Sequence, residues 1–189
     1  RGEYRVERSQ DHTRDRNNYL FAAGASWKQN PDWTLNANLD AVFSDRLTTT
    51  FLDGAYVEGS LGYAYRPVLN DKLNVLAKYT YLYDLPGPDQ VNVNGDLLGP
   101  AQRSHILSID AIYDLTPRLS LGAKYGARFG QIRERTSTVW EASEVHLGVL
   151  RADFNIVKEW DALLEARALY SRYQNTLDFG ALAAIYRHV

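Results

Sequence analysis

A chain of 189 residues with a formal net charge of −2 and no cysteine excludes several classes of protein. The charge provides no basic field for nucleic acid, so we expect no nucleic-acid partner. The lack of cysteine rules out disulfides, thiolate nucleophiles and thiolate metal sites, and it fits passage through an oxidising periplasm without covalent staples. No stretch approaches the roughly 18 consecutive apolar residues of a membrane-spanning helix.

Alternation of apolar and polar residues predicts about ten strands, and no helical period competes with it. The clearest strand, Trp33 to Phe43, reads WTLNANLDAVF, with one apolar and one polar parity. About 11 residues are enough to cross a bilayer core at the usual tilt. In chain order, the predicted strands are residues 3–9, 19–28, 33–45, 56–66, 72–84, 105–115, 119–132, 144–156, 161–173 and 179–189.

The connections between these strands alternate between short and long. The short ones are QNPD (29–32), PVLND (67–71), TPR (116–118) and VKE (157–159). The other connections, mostly longer, are predicted near residues 10–18, 46–55, 85–104, 133–143 and 174–178. Because antiparallel strands run in opposite directions, this alternation places the tight turns at one end and the longer loops at the other, as in outer-membrane barrels.

A weak internal repeat supports a hairpin unit. The residues Trp33, Leu73, Leu119 and Trp160 open strands that run in one direction, at spacings of 40, 46 and 41 residues. The tripeptide AKY occurs at 77–79 and again at 123–125. A period near 40 is also typical of propeller blades, but those hold four short strands rather than two long ones. We therefore predict an all-β fold: an antiparallel up-and-down transmembrane β-barrel, forming one domain over residues 1–189.

Aromatic residues cluster near the strand ends on the apolar parity, which predicts two girdles at the membrane interfaces around an aliphatic belt. A soluble barrel is the alternative, because aromatic residues are common in any β-protein. The predicted interface aromatics are Trp27, Trp33, Phe43, Tyr63, Tyr65, Tyr79, Tyr81, Tyr83, Tyr113, Phe129, Phe154, Trp160 and Tyr170.

The polar parity predicts a lumen with charges of both signs. In a narrow barrel these groups would pair and plug the interior, whereas in a wider one they would line water. Three glycines on this parity, at 122, 126 and 130, either leave room for long side chains such as Arg128 or relieve strand coiling. The predicted lumen-lining residues are Asn38, Asp40, Glu58, Arg66, Lys78, Asp110, Lys124, Arg128, Arg151, Asp153, Glu165 and Arg167.

Residues with catalytic or metal-binding potential are sparse, so we expect no enzyme activity, no metal site and no cofactor. The four histidines, at 12, 105, 146 and 188, lack the spacing of a metal site. A hydrolase pair of Ser104, Ser108 or Ser143 with His105 or His146 is a weak alternative. The acidic segments 45–53 and 89–96 do not match a calcium loop.

The segment LGYAYRPVLNDKLNVLAKYTYLYDLP (Leu61 to Pro86) and the AKY repeats resemble bacterial outer-membrane β-barrels, and most nearly the C-terminal barrels of large surface or cell-envelope proteins. The resemblance implies a Gram-negative outer-membrane location, insertion by the outer-membrane assembly machinery and contact with the lipid bilayer. Such barrels usually end in an aromatic residue, whereas this chain ends at Val189. We therefore expect it to be incomplete at both ends, a fragment of a slightly larger barrel, or completed by strands of other chains.

The sequence is compatible with two main functions. The first is a porin-like channel or translocator with a mixed-charge lumen. The second is a plugged structural barrel that anchors a covalently linked or associated surface domain. A soluble ligand-binding barrel is a third, minor alternative.

Overall fold

The computed structural model describes residues 1–8, 16–46, 52–85, 100–134 and 137–187, and these form one antiparallel sheet of ten strands. Each strand pairs with its sequence neighbours, in the order β1 to β10. The strands are β1 Gly2–Glu7, β2 Arg16–Lys28, β3 Trp33–Arg46, β4 Leu52–Tyr65, β5 Leu73–Leu85, β6 Ala101–Thr116, β7 Leu119–Arg133, β8 Glu141–Val157, β9 Trp160–Ser171 and β10 Thr176–Arg187.

This architecture confirms the predicted up-and-down β topology. Strands β2 to β10 are 12 to 17 residues long, which exceeds the 9–11 residues that a tilted transmembrane strand needs. In the described part of the chain β1 and β10 do not pair, so the sheet is open there rather than closed. Among the same residues, no helix has the length and apolar character to span a membrane.

The strands reach further toward the longer loops than the alternation predicts. Residues 16–18, 52–55, 101–104 and 141–143 belong to strands rather than to loops. One cause is that polar or charged residues occupy apolar-parity positions there: Asn17 and Arg103 interrupt the pattern without ending the backbone pairing. At the other end the predicted bounds of β2 to β9 agree within one residue, and β10 extends to Arg187, the last described residue.

The strand register divides the side chains between two faces. Residues paired across antiparallel strands point to the same side, so pairs such as Asp110 with Lys124 and Tyr113 with Leu121 define a polar face and an apolar face. Few side chains are buried, because a single sheet layer has no second layer to cover it. Large apolar groups such as Phe179 (77% exposed) and Leu150 (66% exposed) lie uncovered on the apolar face.

The tight turns share one end of the sheet, the turn end, and hydrogen bonds join them to their neighbours. The Asn30 side-chain oxygen accepts the backbone N–H groups of Asp32 (2.9 Å) and Trp33 (3.0 Å). Asp32 then accepts the Arg66 N–H through its backbone oxygen and the Val68 N–H through its carboxylate, both at 2.8 Å. These hydrogen bonds join the β2–β3 turn to the neighbouring β4–β5 turn. The opposite end, which carries the other connections, is the loop end.

We expect Asn30→Ala to lower the free energy of unfolding by about 1 kcal/mol, because two exposed N–H groups exchange a fixed acceptor for water. Urea titration of the protein in lipid vesicles, followed by far-UV circular dichroism, measures the change. Asn155→Ala is the matched control, since the exposed Asn155 side chain makes no hydrogen bond within the described residues. Equal urea midpoints for the two variants would contradict the role of Asn30.

Candidate functional site: the polar face of the sheet

The register brings most of the predicted lumen residues onto the polar face. Cross-strand pairs connect this set from β3 to β9, as in Asp40 with Glu58 and Arg151 with Glu165. The residues placed on this face are Asn38, Asp40, Glu58, Lys78, Asp110, Lys124, Arg128, Arg151, Asp153, Glu165 and Arg167. Arg66 differs, because it follows β4 and lies in a turn, where its N–H donates to Asp32.

Toward the turn end, charges on the polar face are paired within the sheet. Arg151 donates to Asp153 through two hydrogen bonds of 2.7 Å. Lys124 lies 3.3 Å from Asp110, and Arg167 and Glu165 are 3.5 Å apart. These groups remain substantially exposed, so each pair contributes little to stability. Each of these three pairs is therefore locally close to neutral.

Toward the loop end, the polar face separates charge. Three carboxylates, those of Asp40, Glu58 and Asp84, lie on the neighbouring strands β3, β4 and β5, and Glu58 also accepts the Tyr56 hydroxyl. A cation, Arg128, lies two strands beyond β5, on β7. We call Asp40, Glu58, Asp84 and Arg128 the loop-end charge cluster. An electric field therefore runs across the face, from Arg128 toward the acidic strands.

Arg128 is held in place by its hydrogen bonds. Its Nε donates to the Ser104 hydroxyl and its Nη2 to the Gln102 side-chain oxygen, both at 2.9 Å. Gln102 in turn donates to Asp84 at 3.2 Å. A Cβ added to Gly130 would lie 2.9 Å from the Ser104 Oγ and 3.3 Å from the Arg128 Nε. The same Cβ would lie 3.0 Å from the Ser143 backbone oxygen, so Gly130 leaves room for that backbone and for the Ser104–Arg128 hydrogen bond, whereas Gly122 and Gly126 have only ordinary contacts.

The polar face also carries an apolar strip that the alternation did not predict. On β8, Val145, Leu147 and Val149 pair with Arg128, Gly126 and Lys124, respectively. These three apolar residues therefore share the face of the two cations. The signal was present in the sequence VHLGVL, where both parities are apolar or aromatic and the pattern no longer distinguishes the two faces.

The predicted interface aromatics lie on the apolar face. At the turn end the Trp33 ring stacks on Tyr63 at 4.7 Å between centroids, and it lies 4.4 Å from Tyr65. Between the aromatic bands, small residues leave a shallow groove of about 810 Å³ along β6 to β10, lined in part by Ala111, Ala123 and Ala166. This face is suited to acyl chains, because it presents few polar groups between its two ends.

The apolar face also holds a hydrogen-bonded chain near the loop end that sequence reasoning missed. The Tyr125 hydroxyl lies 2.8 Å from His146 Nδ1, His146 Nε2 lies 2.9 Å from Glu144, and Arg172 donates to Glu144 at 2.9 Å. A neutral His146 protonated on Nε2 satisfies this order, with the Tyr125 hydroxyl as donor to Nδ1. The hydrogen bond to Glu144 raises the pKa of Arg172, which lies in the turn after β9.

The described histidines do not join the serines weighed for a hydrolase. Ser104, Ser108 and Ser143 lie on the polar face, whereas His105 and His146 lie on the apolar face, where His105 shares a hydrogen bond of 2.7 Å with Tyr79. Within the described ranges, no group of three or more potential metal ligands comes together. His12, His188 and the acidic segment 89–96 lie outside the described residues, as does most of segment 45–53.

A comparison with known protein families identifies the family of the chain. Residues 2–137 match the family described as "Putative MetA-pathway of phenol degradation". The chain belongs to this family. No curated protein sequence matches this member of the phenol-degradation family.

A solved structure supports the fold of this phenol-degradation family member. The NanC porin in its rhombohedral crystal form is 12% identical in sequence, and the match covers 100% of this chain and 92% of the porin, with a TM-score of 0.51. At that identity the likeness concerns the fold alone. It confirms the predicted all-β, up-and-down porin-type architecture for the family member.

Proposed function

We propose that the protein is a porin-like channel of the outer membrane, with a water-filled lumen lined by the polar face. The observation that supports this most directly is the charge separation between Arg128 and the carboxylates of Asp40, Glu58 and Asp84. A porin-type fold and a face of mostly exposed, mixed charges are what a solute pathway through a barrel requires. The outer-membrane location rests on the same fold and on the apolar band of the opposite face.

The solutes we propose are small aromatic compounds that carry a hydroxyl or carboxylate group. The family description names phenol degradation, and the polar face places an apolar strip (Val145, Leu147 and Val149) beside Arg128 and Lys124. Such a surface offers contact to an aromatic ring and a cation to an anionic substituent at the same level of the pathway. A purely polar solute would use only half of this surface.

Planar-bilayer recording tests the channel. We expect the purified protein to give stable, ohmic current steps, and 4-hydroxybenzoate to reduce the current more than acetate does at the same concentration. Acetate is the control because it carries the carboxylate without the ring. Folded protein that inserts but conducts no current would instead favour the plugged anchor, in which the ion pairs on the polar face fill the interior. Equal block by both anions would contradict the aromatic specificity.

A further inference from the structure

Two arginines on the apolar face flank one tryptophan at the loop end. The Arg103 guanidinium lies 4.4 Å from the centre of the Trp140 ring, and the Arg133 guanidinium lies 4.9 Å from it. The register places Arg103 opposite Tyr83 and Arg133 opposite Ala101, which identifies the apolar face as their location. We call these three residues the arginine–tryptophan clamp.

The clamp lies where a lipid headgroup is expected. Arg103 is ten positions along β6 from Tyr113, which belongs to the predicted aromatic girdle at the turn end. Ten residues of a strand tilted by about 40° rise about 25 Å, the height of the apolar band of an outer-membrane barrel. Arg103 and Arg133 therefore lie at the upper edge of the hydrocarbon region, and the loop end faces the outer leaflet if the tight turns are periplasmic.

Among the described residues, no carboxylate neutralises the charges of the clamp. Arg103 Nε donates to the neutral side chain of Gln131 at 2.7 Å. The Arg133 Nε is buried and makes no hydrogen bond to any described residue. Within the part of the chain that the structure describes, no carboxylate forms an ion pair with either guanidinium. Arg172 is a contrast on the same face, because Glu144 already pairs with it at 2.9 Å.

We propose that the arginine–tryptophan clamp binds the phosphate group of an outer-leaflet lipid. Two guanidinium groups offer a fork of donors that matches phosphate oxygens. Stacking on the indole ring holds both cations at the membrane surface, the position in which tryptophan itself is most stable. The acyl chains of the same lipid would then lie against the apolar face below. This inference is independent of whether the lumen conducts.

Native mass spectrometry of the full chain, released from dodecyl maltoside micelles, tests the site. The probes are phosphatidic acid and phosphatidylcholine with the same acyl chains. We expect the protein to retain phosphatidic acid preferentially, and the double variant Arg103→Gln/Arg133→Gln to retain at least about fivefold less of it. The control Arg118→Gln/Lys158→Gln removes the same charge from two exposed turns at the other end and should stay within about twofold of the parent protein.

Three results would overturn the proposal: equal retention of both lipids by the parent protein, equal loss in the clamp variant and the turn variant, or complete displacement of phosphatidic acid by millimolar inorganic phosphate. The last result would identify a site for a soluble anion instead. Far-UV circular dichroism verifies that each variant is folded. If the double variant does not fold, the two single variants answer the same question, each with a smaller loss of phosphatidic acid.

Discussion

Replacing Arg128 by glutamate is expected to make the proposed channel strongly cation-selective. The substitution changes the loop-end charge cluster by two units, because a fourth carboxylate replaces the cation that opposes Asp40, Glu58 and Asp84 within the cluster. Without screening, a permeating cation about 7 Å away in water gains roughly 1.2 kcal/mol from that change and an anion loses roughly 1.2 kcal/mol, so the cation-to-anion permeability ratio rises by about 2.4 kcal/mol, or roughly fiftyfold. The reversal potential across a salt gradient measures the ratio directly.

Salt concentration and a matched variant distinguish this effect from a general change in surface charge. The shift should be largest in about 0.1 M salt and much smaller in 1 M salt, where the screening length is about 3 Å. Arg118→Glu makes the same change of charge in a turn, away from the cluster, and should leave the ratio almost unaltered. Arg128→Gln, which can still hydrogen-bond to Ser104, should give about half of the effect in free energy. An Arg128→Glu reversal potential equal to that of the parent protein would refute the lumen assignment.

The fold was largely predictable because, in a single sheet layer with one apolar face, apolar and polar residues alternate along each strand. In Trp33 to Phe43 the alternation is visible without any knowledge of partners, and the short turns at 29–32 and 116–118 fix the direction of each strand. The prediction was less accurate at the loop end, where strands β6 and β8 begin three to four residues earlier than expected. Backbone pairing continues there although the side chains no longer alternate.

The site was predictable only as a set of residues on one parity. Which of them interact depends on register, and register is a property of two strands at once. The hydrogen bonds from Arg128 to Ser104 and Gln102 require β6 and β7 to pair Ser104 with Gly130, a match that no local pattern fixes. The sequence analysis missed the arginine–tryptophan clamp for a related reason. A charged residue at an apolar-parity position is interpreted as the end of a strand.

Replacing Trp33 by alanine is expected to be the most destabilising single change at the turn end. Trp33 packs against both Tyr63 and Tyr65 across the β3–β4 pair. Each aromatic pair contributes about 0.5–1.5 kcal/mol beyond the area that it buries, and the position at the membrane surface favours the indole ring further. We expect a loss of about 2–3 kcal/mol in the free energy of unfolding, measured by urea titration in phosphatidylcholine vesicles.

Trp27 provides the comparison for this experiment. It lies opposite Leu35 on the same face and is 61% exposed, and it forms no ring pair within the described residues. Trp27→Ala should therefore cost less than about 1 kcal/mol, although it removes the same side chain. If both variants shift the urea midpoint equally, the two tyrosine contacts of Trp33 have no special importance and the loss of any interfacial indole explains the result.

The strict neighbour order of the sheet also has a mechanical consequence. Within the described sheet β10 is joined only to β9, and β9 otherwise only to β8, so tension applied at Arg187 is borne first by the twelve paired residues of β10. No contact between distant strands in the described sheet shares that tension. Within the described sheet, such tension would therefore separate the strands one after another from β10, and each successive hairpin has its partner already next to it in the chain when the sheet assembles.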